Sequence, residues 1–318
     1  WGDQHVIWDR PFYLAMGGRK GLTTSPGDSD FHATAQGLLL TALAPAIWGS
    51  SYIVTTQVLP QVDPVTISLL RALPAGLLLL LYVRVLPKGR WIPKMFVLGA
   101  LNFSIFWSLL FFSAHRLPGG VAAVLGASQP FIVIFAARGL LGAPIKPLSL
   151  IATCTGLFGI GLLLLTPAAK LDALGIVAGF AGAASMALGI VLSRKWQPPV
   201  DTLTFTAWQL TAGGLLLIPV AIFAKVDLAA LTGPNLAGIA YLGLIGAALT
   251  YLLWFQGISK LHPFAVSVLG FLSPLTATAL GWGVLGEALG PLQITGMVIA
   301  LGSVFLGQYA VRAKSAAA

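Results

Sequence analysis

The stretch LPQVDPVTISLLRALPAGLLLL, residues 59–80, decides the fold because a close copy of it occurs later in the chain. A shift of 138 residues aligns it without a gap with QPPVDTLTFTAWQLTAGGLLLI, residues 197–218. Leucine matches mean little in so apolar a sequence, but matched proline, aspartate and glycine residues do. A second shift, of 144 residues, aligns 117–142 with 261–286. The chain is therefore predicted to consist of two related halves.

The composition requires a membrane as solvent. The 318 residues are 57% hydrophobic and 8% charged, whereas soluble domains carry about 25% charged residues. A helix needs about 20 apolar residues to cross the hydrocarbon core. Runs of that size predict an all-α integral membrane protein with ten transmembrane helices, at about 36–58, 64–84, 92–114, 117–139, 146–166, 173–193, 202–224, 235–257, 262–285 and 290–311.

The repeat divides these helices into five and five. We assign residues 1–35 to a polar N-terminal tail, 36–166 to the first repeat, 173–312 to the second and 313–318 to a C-terminal tail. Because five is odd, the two halves must cross the membrane in opposite directions. Inverted repeats are typical of transporters, whose substrate site lies near the midplane between the halves.

The basic residues predict the orientation. With both termini on one side, the opposite side receives only Arg116, Lys170 and Lys225. The positive-inside rule then predicts cytoplasmic termini, and the expected location is the inner (plasma) membrane. The net charge of +9 comes from scattered residues, so we expect a lipid bilayer and a small-molecule substrate as partners, and no nucleic acid. A monomer is expected to suffice.

These features resemble the drug/metabolite transporter (DMT) superfamily, in particular its ten-helix exporters built from two EamA-type repeats. The resemblance covers about residues 36–312, and the chain looks most like the bacterial YddG-type amino-acid exporters. It implies export of amino acids, including aromatic and large apolar ones, and of related metabolites by alternating access. The matching stretches are AIWGSSY (46–52), DPVTISLLRALPAGLLLL (63–80) and SVLGFLSPLTATALGWGVLGEALGPLQITGMVIALG (267–302).

Polar and aromatic side chains deep in the spans are candidates for the wall of a substrate cavity, because polar groups there cost free energy without a partner or water. Trp48 and Tyr52 share one face of the first helix, with Ser51 nearby, and Trp48 is expected to pair with Trp208 of the other repeat. Ordinary packing and interhelix hydrogen bonds are the alternative. The further candidates are Asn102, Trp107, Gln129, Gln209, Tyr251 and Trp254.

Arg71 is the charged residue that lies deep within a predicted span. A charged side chain near the bilayer centre is costly unless it is hydrated or paired. One interpretation is that Arg71 faces the cavity and attracts a substrate carboxylate. The other is that it snorkels or bonds the carbonyls of a broken neighbouring helix.

Two repeat-related prolines are the expected hinges. Pro130 and Pro274 lie near the middle of helices 4 and 9, with Gly126 and Gly270 close by. Proline removes a backbone donor and bends a helix. We expect one of these helices to be bent and the other straighter, so that they gate opposite faces of the cavity. The alternative is a static kink.

Enzyme and cofactor signatures are absent from the sequence. It contains no His-Glu-x-x-His, Gly-x-Ser-x-Gly or phosphate-loop motif, and its four histidines have no metal-ligand spacing. We therefore expect a transporter without catalytic residues, metal or cofactor. A carrier of nucleotide sugars or drugs, proton-coupled, is the alternative. Facilitated diffusion is favoured because the ionisable candidates fall near helix ends: Asp63, Asp201, Asp227, Glu287, His115 and His262.

Overall fold

The computed structural model describes residues 26–117, 124–164, 172–224, 228–286 and 288–312, with only the backbone at 26–34, Tyr52, Phe111, Ala114, His115 and Arg312. Most of the predicted tails, 1–35 and 313–318, lies outside these residues. The chain divides into two units, Trp1–Gln36 and Gly37–Ala318, and the packing below lies within the second.

Ten helices in the described part are long and apolar enough to cross a membrane, which confirms the predicted all-α fold. The opposite direction of the repeats and the side of the termini stay predictions.

The helices are α1, Pro26–Ile53 continued by the π-helical Val54–Val58; α2, Pro64–Val83; α3, Trp91–Gly99, π-helical Ala100–Ser104 and Ile105–Arg116; α4, Val124–Leu141; α5, Pro147–Leu164; α6, Ala173–Lys195; α7, Thr202–Phe223; α8, Gly233–Gly243, π-helical Leu244–Leu249 and Thr250–Lys260; α9, Pro263–Leu269 and Leu272–Leu285; and α10, Pro291–Arg312.

Matching residues start and stop matching helices in the two halves. The Asp63 carboxylate accepts the Val65 and Thr66 N–H groups at the start of α2, and Asp201 accepts that of Thr204 at the start of α7. These are N-caps, which satisfy backbone donors that a helix cannot. Helices α4 and α9 end at Gly142 and Gly286 with φ of +68° and +70°, the left-handed cap that favours glycine.

Close backbone contact joins two pairs of helices, α2 with α7 and α5 with α10. A Cβ atom added to Gly76 would lie 2.5 Å from the Thr211 nitrogen, and one on Gly214 would lie 2.6 Å from the Leu73 Cα atom. Gly159 and Gly296 meet in the same way between α5 and α10. Small residues let helices in lipid approach closely enough to gain packing energy.

Helices α4 and α9 are both interrupted just before the repeat-related prolines. In α4 the Ser128 N–H donates to the Leu125 carbonyl, three residues back, and in α9 the Ser273 N–H donates to that of Gly270. Pro130 and Pro274 thus stand in the first turn of the following segments, where a missing N–H costs little. The expectation that one of the two helices is straighter is wrong for this conformation.

Basic residues hold several helix ends together at one surface, which we call the basic end. It is defined by Lys94, Lys146 and Arg194 and their contacts. The Lys146 ammonium donates to the Ala310 and Val311 carbonyls at 2.9 Å, and Arg194 donates to that of Ser259. The Lys94 ammonium lies 5.2 Å from the Trp196 ring centre. These contacts tie the helix ends together at the face that the positive-inside rule predicts to be cytoplasmic.

Candidate substrate site

Six aromatic rings from α1, α3 and α8 form a packed group, the aromatic cluster: Trp48, Phe103, Trp107, Tyr251, Trp254 and Phe255. The ring centre of Tyr251 lies 5.0 Å from that of Trp48 and 4.5 Å from that of Phe103. Tyr251 and Trp254 are 2% and 1% exposed. The structure thus brings together four residues predicted from the sequence, from both halves of the chain.

A hydrogen-bonded series connects this cluster to Arg71. The Trp48 indole N–H donates to the Thr250 hydroxyl at 2.8 Å, and that hydroxyl donates to the Gly246 carbonyl at 2.8 Å. Arg71 Nη2 donates to the same carbonyl at 2.5 Å. Gly246 lies in the π-helical segment of α8, where the Thr250 N–H bonds the Ile245 and Ala247 carbonyls instead. The wide turn therefore presents the Gly246 carbonyl to side chains.

Three polar atoms beside this series have no partner among the described residues: Arg71 Nε, Ser51 Oγ and Trp254 Nε1. A Cβ atom added to Gly246 would lie 3.5 Å from Arg71 Nη2 and 3.8 Å from Ser51 Oγ, so those two side chains share one small region. The Arg71 guanidinium also lies 4.9 Å from the Trp107 ring centre. An unmet buried polar group costs about 1–3 kcal/mol, which points to a ligand or water as the missing partner.

A second polar group lies between α3, α6 and α7. Asn102 Nδ2 donates to Gln209 Oε1 at 2.8 Å and to Ser193 Oγ at 3.4 Å, and both amides are fully buried. A Cβ atom on Gly189 would lie 2.0 Å from Asn102 Oδ1, so glycine is needed there. This group holds two more of the predicted candidates, in contact with each other.

The two polar groups occupy equivalent places in the repeat. The shift of 138 residues relates Arg71 to Gln209 and Ser51 to Gly189, and the shift of 144 relates Asn102 to Gly246. We call Ser51, Arg71 and Gly246 the charged crossing, and their counterparts Gly189, Gln209 and Asn102 the amide crossing. Both crossings use a π-helical segment, in α8 and α3 respectively. The same arrangement of helices therefore holds an arginine bonded to a carbonyl at one crossing and a pair of neutral amides at the other.

The remaining candidates lie elsewhere. The Trp208 indole donates to the Val85 carbonyl at 2.6 Å and has no ring contact with Trp48, so the expected pairing is wrong. Adjacent helical residues point about 100° apart, and with Gln209 facing α3, Trp208 turns to the end of α2. Gln129 reaches the break in α9, with Oε1 3.7 Å from the Cβ position of Gly270. The Tyr52 side chain lies outside the described residues.

Sequence reasoning missed the residues that connect the site. Thr250 and Gly246 lie in an apolar run. Gly189 and Ser193 lie in a helix whose small residues indicate close helix packing. A signal did exist for Gly246, because the repeat shift places it opposite Asn102. The π-helical turns had no such signal, since they contain no proline.

A cavity of about 190 Å³ approaches the site from the basic end. Its wall includes Ser193, which bonds Asn102, and Phe255, whose ring centre lies 5.8 Å from that of Tyr251. Asp201, Phe205 and Ser259 also line it. The cavity therefore borders both the amide crossing and the aromatic cluster.

The EamA-like transporter family matches residues 35–165 and, a second time, residues 173–307. The chain belongs to this family. It is 44% identical over 269 residues to Protein PecM of Dickeya dadantii, covering 83% of this chain and 90% of PecM. It is 28% identical to the inner membrane transporter YedA of Escherichia coli K12, covering 84% and 90%. The solved structures that the chain resembles include a crystal structure with a TM-score of 0.74 at 18% identity, covering 86% of this chain and 98% of that one.

Membership in the EamA-like transporter family confirms the predicted DMT-type transporter and assigns the ten spans to a multi-pass membrane protein. The family's two matches coincide with the two halves that contribute the charged and amide crossings. The likeness to the solved structure supports the fold alone.

Gly189→Ala tests the amide crossing. The new methyl group must displace the Asn102 amide and separate it from Gln209, so we expect a loss of about 1–3 kcal/mol of stability. Gly182→Ala is the control in the same helix, because its Cβ atom would lie at an ordinary 3.5 Å from the nearest neighbour. Thermal unfolding in detergent, followed by tryptophan fluorescence, measures both. Equal melting temperatures for the two variants would contradict the assignment.

Proposed function

We propose that the protein exports amino acids, including aromatic and large apolar ones, and related small metabolites across the inner membrane by alternating access. In this proposal two inverted five-helix repeats enclose the substrate, and both termini lie in the cytoplasm. The observation that carries it is the aromatic cluster beside the charged crossing, where an apolar surface meets unpaired hydrogen-bond donors. Binding sites for small molecules combine these features.

The position of the cluster supports the same function. Trp107 and Tyr251 are related by the shift of 144 residues, and their ring centres lie 6.3 Å apart. Residues that are equivalent in two repeats and touch each other lie where the repeats meet. Inverted-repeat transporters bind substrate at this junction. A nucleotide sugar is disfavoured, because its phosphates call for several cations and Arg71 is the basic side chain beside the cluster.

Uptake into liposomes tests the proposal. We expect purified protein to exchange labelled phenylalanine, with large apolar amino acids as competitors and nucleotide sugars without effect. Trp48→Ala removes a cluster ring and its bond to Thr250, so exchange should fall about tenfold or more. Trp282→Ala is the control, because Trp282 is 60% exposed. Equal exchange by the two variants would remove Trp48 from the site, and absence of any amino-acid exchange would reject the proposed substrate class.

Energy coupling is proposed to be facilitative. The acidic residues Asp63, Asp172 and Asp201 cap helices at their starts, and none of the described Asp or Glu residues lies inside a span. His262 lies at the basic end, outside the spans, where burial together with Lys146 and Arg194 lowers its pKa. It therefore stays neutral near pH 7. Asp227, Glu287 and the His115 side chain lie outside the described residues.

A pH gradient imposed on liposomes with equal substrate on both sides should produce no net accumulation. The reason is that a proton-driven carrier needs a group in the membrane that loads and releases a proton. The same liposomes with a substrate gradient and no pH gradient are the control and should show net flux. Accumulation driven by the pH gradient alone would overturn facilitated diffusion.

Helices α4 and α9 are the proposed gates. Each is broken before its proline by bonds to the carbonyl three residues back, and Gln129 of one reaches Gly270 of the other. Breaks in adjacent helices allow the segments on either side to tilt separately. Because the repeats are inverted, tilting of α4 would open one face of the cavity, and the equivalent tilting of α9 would open the opposite face.

Pro130→Ala and Pro274→Ala restore a backbone donor and favour a continuous helix. We expect each to slow exchange about tenfold while the half-saturating substrate concentration changes little. Pro74→Ala is the matched control, because Pro74 lies inside α2 and is exposed. Exchange at the Pro74→Ala rate by both variants would show that the prolines only shape the helices.

A further inference from the structure

The charged crossing offers more donors than the fold consumes. Arg71 uses Nη2 on the Gly246 carbonyl, while its Nε atom is buried without a partner among the described residues. The Ser51 hydroxyl is also buried without such a partner, and so is the indole nitrogen of Trp254 in the neighbouring aromatic cluster. Buried donors are almost always hydrogen-bonded in native proteins. A bound anion with two oxygen atoms accepts from several such donors at once.

The positive charge of Arg71 is not needed to hold the helices together. At the amide crossing the same position of the repeat is Gln209, and a neutral bond to Asn102 joins α7 to α3. The fold therefore tolerates a neutral pair in this geometry. A guanidinium in a span is costly, so intramembrane charges are functional sites by default. Because Gln209 packs at the equivalent position without a charge, packing alone does not require the guanidinium of Arg71.

Among the residues that the structure describes, no Asp or Glu carboxylate lies beside Arg71 to pair with a substrate ammonium group. The described acidic residues nearest in sequence to the site, Asp63 and Asp201, cap the starts of α2 and α7. The Gly246 carbonyl already accepts from Arg71 and Thr250. The ring face of Trp107 is taken by the guanidinium, 4.9 Å from its centre, and a second cation close to the first is repelled.

We infer that this site recognises an aromatic monocarboxylate, through the carboxylate at the charged crossing and the ring in the aromatic cluster, and that the α-amino group of an amino acid contributes no affinity. This inference rests on the proposed function, since it names the part of the substrate that the same site reads. Aromatic acids without an amino group are then the preferred substrate class.

Three ligands that share one ring system separate the groups: 3-phenylpropionate, phenylalanine and phenethylamine. Each is titrated as a competitor of labelled phenylalanine exchange in liposomes at pH 7.5, with protein-free liposomes subtracted. We expect 3-phenylpropionate to compete at a concentration about tenfold below that of phenylalanine, since it avoids burying an unpaired ammonium. Phenethylamine should not compete, because it lacks the carboxylate.

The outcomes distinguish the inference from the proposed function. Phenylalanine competing as well as or better than 3-phenylpropionate overturns the inference and leaves amino-acid export standing. Competition by phenethylamine equal to that of phenylalanine also overturns it, because the carboxylate is then not read. Absence of phenylalanine exchange rejects the proposed function, and the inference with it.

Variants test the assignment to Arg71. Arg71→Gln should weaken binding of 3-phenylpropionate about tenfold or more, measured by quenching of tryptophan fluorescence, while the melting temperature is recorded in parallel. Arg138→Gln is the control, since Arg138 is exposed at the end of α4. The triple variant S51G/R71Q/G246N rebuilds the amide crossing at the charged one and keeps the test valid if Arg71→Gln alone unfolds. Binding by a folded variant at the Arg138→Gln level would overturn the inference.

Discussion

A guanidinium in the middle of a membrane-spanning helix must be solvated by protein, and the Gly246 carbonyl does this for Arg71 at 2.5 Å. That carbonyl is available because α8 widens into a π-helical turn at Leu244–Leu249. In lipid every backbone group needs a partner, so the widened turn and the arginine depend on each other. The Trp48 indole enters the same series through Thr250, which ties the aromatic cluster to the charge.

The repeat explains why this arrangement is stable. The α3 helix contains its own π-helical turn, Ala100–Ser104, at the equivalent place, and there Asn102 supplies a side chain where Gly246 supplies a carbonyl. Gly189 leaves room for that amide, and Ser51 replaces the glycine where no amide has to fit. Duplication provided one geometry, and the residues at three positions in each half decide whether it carries a charge. The two halves are thus alike in structure and unlike in chemistry.

The sequence predicted the parts of the fold that depend on composition and on backbone chemistry. Ten apolar runs predicted ten spans, and Asp63 and Asp201 were placed near helix ends. The structure shows that both aspartates cap the starts of their helices. Predicting contacts was harder. Asn102 and Gln209 were chosen as separate candidates, and only the packing of α3 against α7 shows that they bond to each other. Trp208 was misplaced because a helical residue's direction depends on rotation about the axis, which periodicity does not determine in a helix that is apolar all round.

The route to the candidate site involves the cavity at the basic end and the breaks in α4 and α9. The cavity at the basic end reaches Ser193 and Phe255, next to the amide crossing and the cluster, while α4 and α9 are broken just before Pro130 and Pro274. A helix that keeps all its internal bonds moves as a rigid rod, so a change of access between two faces needs interruptions in the wall of the cavity. Both interruptions occur in the pair of helices that Gln129 and Gly270 bring together. The charged crossing, by contrast, lies on α1, α2 and α8, and α2 is joined to α7 by close glycine contacts. In the proposed mechanism the substrate is held by residues of α1, α2 and α8, while the broken pair α4 and α9 changes its access.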